Sequence, residues 1–219
     1  MLEFLSSAFG TFDKTIINGF LNLSESAGAF FTPLFKIITL LGEKGLIFFI
    51  FAIILMLFSK TRKAGICIFG AVACGALITN VILKDLVARP RPCESDFVSE
   101  FLAFGYPLEE GFSFPSGHMT AISAATLAIF LCFNKKFSWI GFPFVFIMGA
   151  SRIYLLAHYP SDVLAGIVVG AFSGVIAFYI TKLIYIFLNK HAENKFCDFV
   201  LNKGLIIKKK KDENKNENN

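Results

Sequence analysis

Residues 64–83 read AGICIFGAVACGALITNVIL, and Lys84 closes the run. No charged residue interrupts it. A helix that crosses a bilayer needs roughly 20 apolar residues, so this run has the length and composition of a span. Further apolar runs occupy residues 27–41, 44–59, 118–133, 137–155 and 162–188. The run at 27–41 is short and carries Pro33 and Lys36, so six spans is the expected number and five the fallback. Lipid offers backbone groups no water, which leaves helices or closed barrels. Barrel strands alternate apolar and polar residues, and these runs are continuously apolar. The expected fold is therefore all-α, a polytopic membrane bundle of about six spans.

Composition agrees. The chain has 219 residues, 55% hydrophobic, with 28 Phe. Charged residues make up 17%, against about 25% in soluble domains. The net charge of +5 gathers in short connections and in Lys208, Lys209, Lys210 and Lys211. Lysines placed this way suit cytoplasmic flanks and anionic headgroups rather than nucleic acid. Leu5, Ala8, Phe9, Phe12 and Ile16 form one stripe near the N-terminus. It predicts an amphipathic helix over residues 1–25, lying in the interface or packed over the bundle. Residues 26–188 would form the membrane domain and 189–219 a polar, Lys-rich tail. The stretch 212–219 is too polar to bury a core. The five cysteines show neither paired metal spacing nor a disulfide framework. Cys67, Cys74 and Cys132 lie in apolar runs, and Cys93 in a long loop.

Against this background three polar clusters stand out. The first is Lys84-x6-Arg91-Pro92, the second Pro115-Ser116-Gly117-His118, the third Ser151-Arg152-x5-His158-x3-Asp162. Ionisable groups are costly near hydrocarbon and are usually functional there. In the third cluster, Pro160 suits the first turn of a helix. Asp162, four residues beyond His158, can bond one ring nitrogen and free the other to attack. Arg152 offers a planar fork for two phosphate oxygens. An ion pair joining two helix ends would use the same residues. In the second cluster Ser116 is a candidate N-cap. The helix start behind it can bind an anion, with Gly117 permitting close approach. His118 is placed to give a proton to a leaving oxygen. In the first cluster Lys84 and Arg91 can face the same phosphate, although a Lys at a helix end can also simply snorkel. Arg89 could join them or meet headgroups. No carboxylate cluster or His pair offers a metal site. The three cations can supply the oxyanion charge balance that phosphoryl transfer needs. These residues alone do not decide which histidine attacks.

The three patterns, in this order and spacing, resemble the signature of the type 2 phosphatidic acid phosphatase family. The resemblance covers Lys84 to Asp162 directly and implies a metal-independent membrane lipid phosphatase without cofactors. It implies His158 as nucleophile forming a phosphohistidine, Asp162 as its orienting partner and His118 as acid and then base. It implies Lys84, Arg91, Ser116, Gly117 and Arg152 as the phosphate ligands. The expected partners are the bilayer and a lipid phosphate of undecaprenyl diphosphate, phosphatidylglycerophosphate or phosphatidate type. Non-enzymatic lipid-phosphate binding or transport is the alternative, and a vanadate-binding oxidant enzyme a third reading.

Orientation follows from charge. Lys60, Arg62 and Lys63, then Lys135 and Lys136, then the tail, share one side if the spans are as drawn. The positive-inside rule makes that side cytoplasmic, in a plasma (inner) membrane. The loop from Lys84 to Gly117 is rich in Asp and Glu and falls outside. All three clusters then meet at the outer face. Phe97, Phe101, Phe104 and Phe112 could dip into the interface or pack within the loop.

Overall fold

A computed structural model describes residues 2–42 and 45–202, and every regular element among them is helical. Helix α1 spans Leu2–Leu41 and α2 Leu46–Leu57. Helix α3, Arg62–Ala76, runs through a π-helical stretch, Leu77–Leu83, into α4, Lys84–Val87. A 3-10 turn, Pro92–Glu94, precedes α5, Val98–Phe104. Then come α6 (Gly117–Cys132), α7 (Lys135–Ser138), α8 (Gly141–Tyr154), α9 (Pro160–Lys190) and α10 (Lys195–Asn202). The expected all-α bundle is what forms. Among the described residues, three stretches could cross a membrane by length and composition: Arg62–Glu94, Lys135–Tyr154 and Pro160–Lys190. Helices α2 and α6 are apolar but shorter. The tail beyond Asn202, including Lys208–Lys211 and residues 212–219, lies outside the described residues.

The run at 27–41 begins at a kink: the backbone of Ala27 (φ −140°, ψ 21°) is not helical, so α1 is two helices meeting there, the second of which is this run. Just before the kink, the hydroxyl of Ser26 donates back to the Asn22 carbonyl at 2.8 Å. The buried stripe of the N-terminal half is Leu5, Asp13, Ile17, Leu21 and Ser24. Leu5 belongs to the stripe expected from sequence, but Ala8 and Phe12 face outward. Helix α1 packs on α8 and α9, with Ile17 wholly buried.

At the centre, α6, α9 and α3 pack on one another. Small residues make the approach close. A Cβ added at Gly166 would lie 2.7 Å from the Ser116 carbonyl oxygen, and one at Gly170 2.5 Å from that of Thr120. Between membrane helices, small residues of this kind let backbones touch. The contact also sets the N-termini of α6 and α9 side by side, where the Ser116 N–H donates to the Asp162 carbonyl at 3.1 Å. The outward faces are apolar instead: Ile47, Ile50, Ile53 and Ile54 on α2, and Val168, Phe172, Leu183 and Ile186 on α9. An apolar exterior this extensive suits hydrocarbon and not water.

Gly170→Ala tests this packing, because the new methyl group meets backbone that cannot rotate away. Overpacking of this kind costs about 1–3 kcal/mol. The variant is expected to unfold at a lower temperature in detergent than the wild type.

Candidate active site

The three clusters converge at one end of the bundle. A cavity of about 810 Å³ is lined by Lys84, Arg91, Gly117, His118 and His158, together with Glu109 and Glu110. Lys36 and Thr39 of α1 and Asn80 of the π-helical stretch also line it. Leu40, Val72, Ala76 and Ala121 give it an apolar wall. The π-helical stretch lies one turn before Lys84, and such bulges are frequent at functional sites.

His158 sits in the connection between α8 and α9 and is almost wholly buried. Helix α8 ends at Tyr154, earlier than the position of Pro160 alone suggests. The chain turns there through Leu156, whose φ is +54°. That region is unusual for a bulky residue, and such outliers cluster at active sites. The ring's Nδ1 lies 2.7 Å from the Ser113 carbonyl oxygen. A carbonyl only accepts, so Nδ1 carries the proton and Nε2 the lone pair. Arg91 Nη1 stands 3.4 Å from Nε2.

Asp162 does not make the direct ring bond expected from the spacing. Its Oδ2 is 3.8 Å from His158 Nδ1. Instead Oδ2 accepts from the Tyr159 N–H at 2.8 Å and from the Ser113 hydroxyl. The carboxylate thus holds Ser113, and the Ser113 carbonyl holds the imidazole. Asp162 and Ser113 are fully buried.

The cations are fixed from several sides. Arg91 is buried, and its Nε donates to the Gly111 carbonyl at 2.8 Å. Its Nη1 donates to the Ala157 carbonyl at 2.7 Å and its Nη2 to that of Glu110 at 3.0 Å. Arg152, in the last turn of α8, is inaccessible to solvent and donates to the Thr39 hydroxyl at 3.2 Å. Ser116 is the N-cap of α6, but its buried hydroxyl accepts from the Met119 N–H at 3.5 Å rather than lining the cavity. Gly117 does line it. His118 Nε2 is buried and has no hydrogen-bond partner among the described residues.

Four participants were missed or misassigned from sequence. Glu109 was counted with the acidic outer loop. Its carboxylate pairs with Arg152 and lies 3.4 Å from Arg91 Nη1, so it takes the position an anion would take between two guanidinium groups. Burial would raise its pKa, but the Arg152 charge and hydrogen bond override this and hold it at about 2, against the usual 4.5. Arg89 does not line the phosphate cavity. It is buried, lies 3.8 Å from the Tyr159 ring centre, and donates to Asp162 Oδ1 at 2.6 Å and to Asp13 Oδ2 at 2.8 Å. Asp13 read as the polar side of an amphipathic helix, and Ser113 carried no signal beyond its nearness to Pro115. In the loop, Phe97 and Phe101 are buried, so packing is their role, whereas Phe112 is exposed.

A buried cationic pocket around two imidazoles, in an all-α bundle of membrane type, defines a phosphate-handling membrane protein. The chain belongs to the PAP2 superfamily, whose pattern matches residues 65–185. It is a lipid phosphatase of that family. It is 30% identical to undecaprenyl-diphosphatase BcrC of Bacillus subtilis (strain 168) over 75% of this chain and 82% of the relative. It is 30% identical to an undecaprenyl-diphosphatase of Sulfolobus acidocaldarius over 54% of this chain and 55% of that one. It is 34% identical to lipid A 1-phosphatase of Rhizobium johnstonii over 49% and 43%. The chain thus spans about half the length of the last two. No solved structure matches it at a significant level.

Burial, with Arg152 and Arg91 adding to it, pushes the His158 pKa from 6.5 down to about 4. The folded state therefore favours the neutral ring. Stability from this source is complete above the unfolded value of 6.5 and is lost as pH falls through the folded value near 4. Thermal unfolding followed from pH 7 to pH 4 is expected to show a falling midpoint. In His158→Asn the decline between pH 6.5 and 4 should be shallower than in the wild type, because one ring that resists protonation has been removed.

Proposed function

We propose that this protein hydrolyses a phosphomonoester or diphosphate of a membrane lipid through a phosphohistidine at His158. One observation carries the reading: the His158 imidazole is held by the Ser113 carbonyl at Nδ1, so its Nε2 lone pair lies beside Arg91 in the cationic cavity. In the first step Nε2 attacks phosphorus, and the bond to the leaving oxygen breaks as His118 gives that oxygen its proton. In the second, His118 takes a proton from water while the water oxygen attacks the phosphohistidine, releasing inorganic phosphate. Lys84, Arg91 and Arg152 offset charge on the phosphoryl oxygens throughout. Ser116 and Gly117 contribute the start of α6, where helix N–H groups favour anions. Glu109 gives up the guanidinium groups to the incoming phosphate. With three cations from Lys84, Arg91 and Arg152, the chemistry calls for no metal.

The substrate we favour is a polyprenyl diphosphate, supported by the likeness to the Bacillus relative, of which the chain covers 82%. The apolar wall of Leu40, Val72, Ala76 and Ala121 suits a lipid tail. We place the site at the extracytoplasmic face. Arg62 opens the helix that leads through the π-helical stretch to Lys84, and Lys135 opens the stretch Lys135–Tyr154 that carries Arg152. Arg62 also donates to the α10 carbonyls of Phe199 and Val200, at 3.0 and 2.8 Å, which ties α10 to the basic connection before α3. The domain reading, with residues 26–188 catalytic and 189–219 a cytoplasmic tail, goes with this orientation.

Purified protein in detergent with chelator present should release phosphate from a panel of polyprenyl diphosphate, phosphatidate, phosphatidylglycerophosphate and diacylglycerol pyrophosphate. His158→Ala should abolish release from all of them, and full turnover by this variant refutes the mechanism. His118→Ala should separate the substrates. An alkoxide needs a proton to leave and a phosphate scarcely does, so monoester rates should fall by about 10²–10⁴, the usual range for general acid catalysis, and diphosphate rates by less.

A further inference from the structure

Asp13 lies outside the phosphate cavity, 148 residues before Ser161, yet it is almost wholly buried beside it. Its Oδ1 accepts from the Ser161 N–H, in the first turn of α9, at 2.8 Å. Its Oδ2 accepts from the Ser161 hydroxyl at 2.7 Å and from Arg89 Nη2 at 2.8 Å. Arg89 continues the chain through Nη1, which donates to Asp162 Oδ1 at 2.6 Å and to the Ser161 hydroxyl at 2.8 Å. Asp162 Oδ2 holds the Ser113 hydroxyl, and the Ser113 carbonyl accepts from His158 Nδ1. An unbroken series of hydrogen bonds therefore joins residue 13 to the imidazole.

Seating α1 does not require this arrangement. Ile17 and Leu21 on the same stripe are buried already, and a third apolar residue would pack without the cost of burying charge. Two carboxylates share one guanidinium, each held to a separate amino group. Without the Asp13 charge, Arg89 can swing both amino groups onto Asp162. That draws Oδ2 away from Ser113 and the Tyr159 N–H and moves the turn carrying His158.

Resting on the phosphatase reading above, we infer that Asp13 is a positioning residue: by holding Arg89 Nη2 it sets the place of Asp162, and through Ser113 the place of the His158 ring. The amphipathic helix at the N-terminus thereby becomes part of the catalytic apparatus.

The test compares Asp13→Asn with Ile17→Ala in the full chain, using whichever lipid of the panel the wild type hydrolyses fastest. Outer-shell partners of this kind typically carry 10–100-fold in activity. Asp13→Asn should lower kcat by about that factor with KM within about twofold. Ile17→Ala, which loosens the helix without touching the hydrogen-bond series, should lower the unfolding temperature and leave kcat near wild type. Wild-type kcat in Asp13→Asn overturns the inference, as does an equal loss in Ile17→Ala. If Asp13→Asn does not fold, Ser161→Ala reads the same linkage: a fall in kcat of about fivefold or more at constant KM supports it, on the same scale of effect, and wild-type kcat overturns it. A wild type silent on every lipid overturns the phosphatase reading itself, which is a separate outcome.

Discussion

The site depends on one buried carboxylate. Asp162 receives Arg89 from the segment after α4, the Ser113 hydroxyl from the segment before α6, and the Tyr159 N–H from its own turn. Its backbone carbonyl receives the Ser116 N–H. Each of the three sequence clusters, or its immediate flank, is thus tied to a single residue. An unpaired buried carboxylate is costly, and removing one partner from such a group typically costs about 3–5 kcal/mol. That penalty is what makes the arrangement specific: only the conformation that brings all three segments together satisfies the carboxylate.

The same residue separates the fixed charges from the neutral base. On one side Arg89 is neutralised by Asp13 and Asp162. On the other, the guanidinium groups of Arg91 and Arg152 share the carboxylate of Glu109, which leaves the cavity able to accept an anion. His158 lies between the two groups. Burial and the neighbouring guanidinium charges keep its ring neutral, the form in which Nε2 is a nucleophile. Protonation would add a further cation to a place that already holds two.

Much of this was legible in the sequence, for a physical reason. Lys84, Arg91, His118, Arg152, His158 and Asp162 are conspicuous because their surroundings are hydrocarbon. The cap at Ser116 acts locally, so its outcome follows from neighbours in the chain. The remainder depended on distance. Asp13 on an amphipathic face is indistinguishable from a residue that meets solvent until Arg89 and Ser161 are brought beside it. Glu109 differs from Glu110 only in where a loop without periodicity turns. Asp162 was paired with His158 from an i, i+4 interval, but Tyr159 and Pro160 end any common helix between them, so the interval does not bring carboxylate and ring into bonding range. The Ser113 carbonyl takes the place of that bond, and no side-chain pattern announces a backbone acceptor.

The cavity's two walls bear on why such a site belongs in a bundle. The polar groups come from helix ends and turns, where backbone donors are already free and charge can be matched. The apolar wall comes from Leu40, Val72, Ala76 and Ala121, on α1, α3 and α6. A lipid phosphate has the same division, with its headgroup at the interface and its tail in hydrocarbon. A substrate entering between helices can therefore keep its tail in an apolar environment while its phosphate exchanges water for guanidinium. The hydrophobic cost of extracting the tail into water, about 0.8 kcal/mol for each buried CH₂, is then avoided for the part that remains in lipid. On the proposed reading, the fold would contribute to catalysis by holding the cations beside the apolar wall of the same cavity.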